Sequence, residues 1–290
     1  MTESWTILHL ISWCREYFTG KGIGTPRLDA EVLLAHVLGV DRVGLYLRFE
    51  QELSPDELAR FRELVRRRGQ REPLAYIVGT KEFYGLSFKV DKRVLVPRPE
   101  TELLVDTILE KGPADQPWRI CDVGTGSGCV ALALAARRPN WSFVATDNSA
   151  AALEVARENA VQLKASDRVR FVRCHLLDGL AGAFDAVISN PPYLPSADCA
   201  AAMPEVSAHE PRTSLDGGTD GLDFIRVLVN RAPEVLNHGG WLALEVSLGQ
   251  ADAVRELIDG NGRYNAAEAL NDLAGIPRVV AAQLKTPSRA

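Results

Sequence analysis

The sequence predicts an α/β fold: an open, mostly parallel sheet with helices on both faces, preceded by a small helical domain. Three observations carry that expectation. From Trp118 onward, short apolar runs of strand length alternate with longer segments of helical period. Up to about residue 68, apolar residues recur at helical spacing alone. Between the two regions, from Glu72 to Val96, Pro73, Gly79 and Gly85 interrupt the period, and Leu86-Ser87-Phe88-Lys89-Val90 alternates as a strand does.

Composition narrows the classes. The chain has 290 residues, room for one large or two smaller domains, and is 46% hydrophobic and 24% charged, as soluble globular proteins are. A net charge of -5 does not favour a bulk nucleic-acid coat and leaves only a local basic patch open. Five cysteines (Cys14, Cys121, Cys129, Cys174 and Cys199) form no Cys-x-x-Cys pair and read as scattered reduced thiols, so no metal site is expected. Met1-Thr2-Glu3-Ser4-Trp5 lacks the basic region of a secretory signal, and no apolar run approaches the roughly 18 residues of a membrane span. A cytoplasmic protein is the expectation, monomeric by default, with its oligomeric state left open.

In order along the sequence, Ile7, Leu10, Ile11, Cys14, Tyr17 and Phe18 predict a first helix, stopped by Gly20 and Gly22. Leu28, Val32, Ala35 and Leu38 predict a second, closed by Gly39. A third starts at Ser54 with Glu57 three residues on, a capping-box pattern, and ends in Arg66-Arg67-Arg68, well placed against the helix dipole. That arginine run reads first as a solvated helix end, and second as a docking surface for an acidic partner or RNA. Pro99 followed by Glu100 and Glu102 suits the first turn of a further helix. Strands are then expected at 118–123, 141–146, 169–172, 184–188 and 241–246. Helices are expected at 130–138, 150–163, 222–235 and 251–259. The connection from Leu194 to Gly221 is long for a structureless loop, so it is either functional or mobile.

Two strings carry chemistry. Asp122-Val123-Gly124-Thr125-Gly126-Ser127-Gly128 runs from the first strand of the alternating half into a helix. Its three glycines let the backbone turn tightly and approach a ligand, and the helix N-terminus behind them offers free N–H groups to a carboxylate or phosphate. Nineteen residues beyond Gly128, at the end of the next strand, stands Asp147, placed to accept both hydroxyls of a ribose. A nucleoside-containing cofactor follows, without a choice of which. The second string is Asn190-Pro191-Pro192-Tyr193, at the end of the strand that includes Val187 and Ile188. Each X-Pro step holds the preceding residue extended, and the prolines remove two backbone donors. The amide oxygen of Asn190 and the backbone C=O of Pro191 can together accept both protons of one planar NH₂, with Tyr193 covering its face. Nothing in this hook is a strong base, so positioning must do most of the chemistry.

Taken together, the glycine loop, the ribose acid and the Asn-Pro-Pro-Tyr hook resemble class I S-adenosylmethionine-dependent amino-methyltransferases. Val96-Pro97-Arg98-Pro99-Glu100-Thr101-Glu102 resembles the hallmark of the release-factor glutamine N5-methyltransferases of the PrmC/HemK type. So do Arg27-Leu28-Asp29-Ala30-Glu31, Glu72-Pro73-Leu74-Ala75-Tyr76-Ile77, Glu210-Pro211, Gly217-Gly218-x-x-Gly221-Leu222 and Asp272-Leu273-Ala274-Gly275. Departures are Cys174-His175, where the family commonly has an acid and a large apolar residue, Glu245-Val246-Ser247 for Glu-Ile-Gly, and Pro277 where an acid is frequent.

The resemblance implies a Rossmann-like methyltransferase sheet over residues 96–290, a helical substrate-recognition domain at 1–75 and a linker or hairpin at 76–95. It implies S-adenosyl-L-methionine held by Gly124, Thr125, Gly126, Ser127, Gly128, Asp147, His175 and Asn190. Substrate would be held by Asn190, Pro191, Pro192 and Tyr193, with Asn190, Pro191 and Tyr193 in the catalytic roles. The implied partners are class I peptide-chain release factors, methylated on the glutamine of Gly-Gly-Gln, with no stable nucleic acid and no membrane. Two other readings stay open: a DNA or RNA adenine-N6 methyltransferase, which uses the same hook on an exocyclic amine, and a non-catalytic binding platform. The pI of about 5.6 weighs against the first, and the intact hook and glycine loop against the second.

Overall fold

The computed structural model describes residues 5–286, so Met1–Ser4 of the N-terminal string lie outside the described residues. The protein divides into two compact units, one of residues up to Gly79 together with Met203–His209, the other of Thr80–Ala202 and Glu210 onward.

The first unit is helical. α1 (Ile7–Gly20) starts at Thr6, whose hydroxyl accepts from the His9 amide at 3.3 Å and so caps the helix. α2 (Pro26–Leu38) has proline in its first turn and stops at Gly39, which takes a left-handed conformation. A short α3 (Arg42–Tyr46) follows, capped by Asp41. α4 (Pro55–Gly69) carries the expected capping box, with the Ser54 hydroxyl on the Glu57 amide and the Glu57 carboxylate on the Ser54 amide. α5 (Leu74–Val78), between Pro73 and Gly79, is helical where the broken period implied linker. Ile7, Phe18, Leu33, Leu34, Leu45 and Phe61 form the core.

The arginine run at the end of α4 is not uniformly solvated. Arg66 is exposed and pairs with Glu63, and Arg67 pairs with Glu72. Arg68 is buried: its Nε donates to Asp29 Oδ2 at 2.6 Å and its Nη2 to Glu205 Oε1 at 2.9 Å. Arg71 adds a second guanidinium on Glu205. These bonds fasten residues 203–209, from the middle of the long connection after the hook, into the helical unit.

The second unit opens with a hairpin, β1 (Thr80–Phe83) and β2 (Leu86–Lys89), turned by Tyr84 and Gly85, both at positive φ. A 3₁₀ turn at Pro99–Thr101 leads into α6 (Glu102–Lys111). Then come β3 (Arg119–Val123), α7 (Cys129–Arg137), β4 (Ser142–Asp147), α8 (Ala150–Gln162), β5 (Val169–Arg173) and β6 (Phe184–Ser189). α9 (Pro204–Ser207) lies in the segment counted with the helical unit, so the long connection is not structureless. α10 (Asp223–Arg231) ends before Pro233, with a 3₁₀ turn where one helix to residue 235 was expected. β7 (Leu236–Glu245), α11 (Ala251–Asn261), β8 (Glu268–Asn271) and β9 (Pro277–Gln283) complete it.

The seven-stranded sheet runs β5-β4-β3-β6-β7-β9-β8, parallel from β5 through β7, with β9 and β8 added antiparallel. Along β6, Ala186 and Ile188 enter one apolar layer with Leu104, Ile108 and Ala131, whereas Val187 enters the other with Leu228, Val254 and Ile258. Such two-sided burial is why these strands read as nearly continuous apolar runs. β3 is flanked by β4 on one side and β6 on the other, so the connections leaving β3 and β6 part in opposite directions. A crevice outside the C-terminal ends of the strands at such a reversal is where open α/β sheets take ligands. Among the described residues, no helix is long and apolar enough to cross a membrane.

Candidate active site

One pocket at that reversal collects most of the predicted residues. Its wall includes Gly124, Gly126, Asp147, His175, Asn190, Pro191 and Pro192. Gly124 and Gly126 sit at φ of 71° and 55°, and a Cβ on either would meet nothing within 4 Å. Both glycines therefore turn the backbone and leave space open to a ligand, as a cradle does.

The remaining members of the loop build the cradle from behind. Thr125 is buried; its hydroxyl donates to Asp122 Oδ2 at 2.6 Å and its amide to the Thr146 carbonyl at 2.8 Å. Ser127 is buried, and its carbonyl accepts from Asn159 Nδ2 at 2.9 Å. Asn159 also bonds both backbone groups of Lys89, tying the end of the hairpin to the glycine loop. Gly128 caps α7 at a φ of 81°, where a Cβ would press on Leu132 and Ala156. Thr125, Ser127 and Gly128 thus stand behind the pocket wall.

Asp147 ends β4 with each carboxylate oxygen on a backbone N–H: Oδ2 accepts from Gly126 at 3.0 Å and Oδ1 from Ser149 at 2.9 Å. Burial raises its pKa against the opposing pull of those amides. Each oxygen keeps a further lone pair for a hydroxyl in the pocket. Part of the lining is apolar. Phe224 and Leu176 belong to it, and the exposed His175 ring lies 6.2 Å from the Phe224 ring, centroid to centroid. A carboxylate and a pair of aromatic rings in one pocket fit a nucleoside.

The hook is braced on three sides. Ser189 donates to the Val123 carbonyl at 2.7 Å, joining the ends of β6 and β3. Leu194 pairs with the segment around Asp216 through bonds of 2.9 and 2.8 Å. Gln250 Nε2 donates to the Tyr193 carbonyl at 3.0 Å. Glycines allow this approach, since a Cβ at Gly217 would lie 2.7 Å from the Pro192 carbonyl oxygen, and one at Gly221 2.2 Å from that of Tyr193.

Within the hook, Asn190 Nδ2 donates to Thr101 Oγ1 at 3.0 Å, across 89 positions of sequence. That bond commits the donor end of the amide to Thr101, while Asn190 itself lines the pocket. Among the described residues no donor is bonded to Asn190 Oδ1 or to the Pro191 carbonyl. Tyr193 stands outside the pocket wall. Burial raises the Tyr193 pKa, and the Glu245 charge adds to it.

Thr101, Phe224 and Asn159 belong to this construction without having been named as site residues. Thr101 stood in a string carrying the resemblance, whereas Phe224 and Asn159 had no signal. The same strings hold the scaffold. Arg98 pairs with Glu210, whose Oε1 also accepts the Val96 amide, and Glu102 accepts the Tyr84 amide at 2.7 Å.

Residues 9–79 match the PrmC N-terminal domain and residues 99–209 the methyltransferase small domain. A release factor glutamine methyltransferase of Geobacter sulfurreducens is 45% identical over 283 residues, covering 97% of this chain and 98% of its own length. One of Rhodopirellula baltica is 42% identical over 285 residues and 96% of each sequence. This chain belongs to the release factor glutamine methyltransferase family. It is a methyltransferase, and its methyl donor is S-adenosylmethionine. Solved structures agree on the fold: a methyltransferase of Pyrococcus furiosus, 20% identical, covers 71% of this chain and 92% of its own with a TM-score of 0.54. The catalytic domain of hMettl16, 18% identical, covers 70% of this chain and 77% of its own with a TM-score of 0.58.

Proposed function

We propose that this enzyme methylates the side-chain amide nitrogen (N5) of the glutamine in the Gly-Gly-Gln motif of class I peptide-chain release factors, in the cytoplasm. The observation that carries the reading is the Asn190 amide held through Nδ2 by Thr101, in a pocket lined by both Asn190 and Pro191. Two carbonyl oxygens on a stiff hook suit a primary amide, which has two N–H groups in one plane. Relatives that match over nearly the whole length are named for glutamine methylation of release factors.

S-adenosylmethionine supplies an electrophilic sulfonium methyl group when bound. The open cradle at Gly124 and Gly126 suits its amino-acid end, Asp147 its ribose hydroxyls, and the His175–Phe224 side its base. The protein's own residues then act on the substrate by orientation. Asn190 Oδ1 and the Pro191 carbonyl accept the two N–H groups of the glutamine, which aims the nitrogen lone pair away from the hook. An amide nitrogen is a poor nucleophile because its lone pair is delocalised, so alignment and exclusion of water matter more than a base. As positive charge develops on that nitrogen, the two fixed carbonyl dipoles stabilise it without having to reorganise. The helical unit reads the body of the release factor, since one glutamine side group offers little specificity.

The test is Asn190→Ala, assayed with labelled cofactor, release factor and duplex DNA side by side. Cofactor binding should stay within several-fold while methylation of release factor falls by about 10²-fold or more, the scale of removing one charge-stabilising group. Near-normal turnover in the variant would sink the mechanism, and labelling of DNA in preference to release factor would sink the substrate.

A further inference from the structure

Gln250 ends the turn between β7 and α11, and neither it nor Tyr193 lines the pocket, whereas Pro191 and Pro192 do. The turn runs from Ser247 to Gln250. The Gln250 amide donates to the Ser247 carbonyl at 3.1 Å, and Gly249 takes a φ of 85°, a conformation that glycine adopts freely. Behind the turn, Ala251, Val254 and Ile258 of α11 are buried in the same apolar layer as Val187 of β6. Gln250 therefore stands on a base packed against the strand that carries the hook.

Backbone groups dictate the polarity of its side chain. Oε1 accepts the Ser247 amide at 2.9 Å, while Nε2 donates to the Tyr193 carbonyl at 3.0 Å and reaches the Gly221 carbonyl at 3.5 Å. A flipped amide would set its oxygen against two carbonyl oxygens and its N–H groups against an N–H. Only one orientation satisfies all three partners. The close approach depends on glycine, since a Cβ at Gly221 would lie 2.7 Å from Gln250 Nε2. One side chain thus joins the hook, the end of the long connection and the turn before α11.

What this bond holds follows from the prolines. Pro191 and Pro192 have no N–H to pair. The Pro191 carbonyl is therefore carried between bonds at the two ends of the hook. At one end the Asn190 amide donates to Thr101 at 3.0 Å; at the other the Tyr193 carbonyl accepts from Gln250, next to the paired Leu194. We propose that Gln250 is a positioning residue for methyl transfer, whose Nε2 fixes the far end of the hook and with it the direction of the Pro191 carbonyl. This rests on the reading of the hook as the holder of the reacting nitrogen. A misplacement of about 1 Å in a group that orients a reactant can cost about 10²-fold in rate, even when the altered residue is remote from the chemistry.

The experiment compares Gln250→Glu and Gln250→Met with wild type in the full-length protein, offering release factor and duplex DNA in parallel and reading kcat, KM and cofactor Kd. The two variants separate the ends of the amide. Glutamate keeps an acceptor for the Ser247 amide but, once ionised, has no proton for Tyr193 or Gly221 and sets charge against their carbonyls. Methionine has a similar length and makes neither bond. Both should lose about 10- to 100-fold in kcat, glutamate at least as much as methionine, with KM and cofactor Kd within about threefold of wild type. A residue that only held the turn before α11 would give the opposite order, with glutamate near wild type and methionine impaired.

Near-normal kcat in Gln250→Glu overturns the inference, as does a loss confined to KM or to cofactor Kd. Should Gln250→Glu fail to fold, near-normal kcat in Gln250→Met overturns it equally. The hook serves either acceptor, so the comparison is read on whichever one the wild type labels. A wild type that labels DNA in preference to release factor counts against the substrate reading; a wild type active on release factor with an unimpaired Gln250→Glu counts against Gln250 alone.

Discussion

Asp147→Ala tests the cofactor end of the pocket. In the free protein the carboxylate is held by two backbone amides, Gly126 at 3.0 Å and Ser149 at 2.9 Å, and its remaining lone pairs face the pocket. Two ribose hydroxyls donating to those lone pairs make hydrogen bonds to a charged acceptor, each worth about 1.5–3 kcal/mol. Taking the lower figure for both gives about 3 kcal/mol, or roughly 100-fold in Kd at 1.4 kcal/mol per tenfold. The Gly126 amide also loses its acceptor, which loosens the loop and adds to the loss. Calorimetric titration of S-adenosylmethionine into wild type and variant measures the ratio directly. The wild-type affinity should also weaken at acid pH sooner than an ordinary aspartate would dictate, because burial raises the Asp147 pKa and protonation removes the acceptor charge. A variant Kd within about threefold of wild type would refute the assignment, since not even one charged hydrogen bond would then have been lost.

Other perturbations read the scaffold. Arg68→Ala leaves Asp29 and Glu205 without their shared guanidinium, Asp29 being 2% exposed, and should cost about 3–5 kcal/mol in urea unfolding of the full-length protein. Arg66→Ala, on an exposed partner, should leave the midpoint where it is. Gly221→Ala drives a methyl against the Tyr193 carbonyl, 2.2 Å from the position of its Cβ, at a φ of 78°. It should lower kcat while sparing cofactor affinity, so a KM-only effect would count against the bracing of the hook. Asp122 is buried and its pKa is raised to about 6, first by desolvation. Its folded form keeps a proton that the unfolded state has already lost, so its contribution to stability falls as pH rises from about 4 to 6. Asp122→Asn should flatten that part of the urea midpoint-against-pH curve, and an unchanged slope would contradict it.

Much of the architecture was legible because local signals agreed with the tertiary result. Ser54 with Glu57 marked the start of α4, and the apolar runs over 119–123 and 184–189 marked the two central strands. Short elements escaped. α3 and α5 have five residues each, too few turns for a period to show. β8 is half exposed with no alternation, and β9 acquires its identity only by pairing with β7 and β8. The pocket was legible where a motif brings its own backbone, at Gly124, Gly126 and Asn190–Pro192. It was not legible at Thr101 or Phe224, which reach the site from distant elements that the sheet brings together.

The strings behind the family resemblance mostly serve the scaffold. Arg98 with Glu210, Asp29 with Arg68, Glu72 with Arg67, and Asp272 with Arg278 are ion pairs that hold loops and helices in place. Of the Arg98–Glu102 string, Thr101 bonds the hook, accepting from the Asn190 amide. On the proposed reading the hook accepts two coplanar N–H groups, a requirement that a glutamine amide and an adenine amine both meet. Glutamine is therefore not chosen by the atoms that hold the reacting nitrogen. On the proposed reading the choice comes from whatever admits a partner to the pocket, a role proposed above for the helical unit, to which residues 203–209 are fastened through Glu205. On that argument, substitutions at Asn190 lower turnover on any acceptor alike. Only changes in the helical unit shift the ratio between release factor and free glutamine-containing peptide.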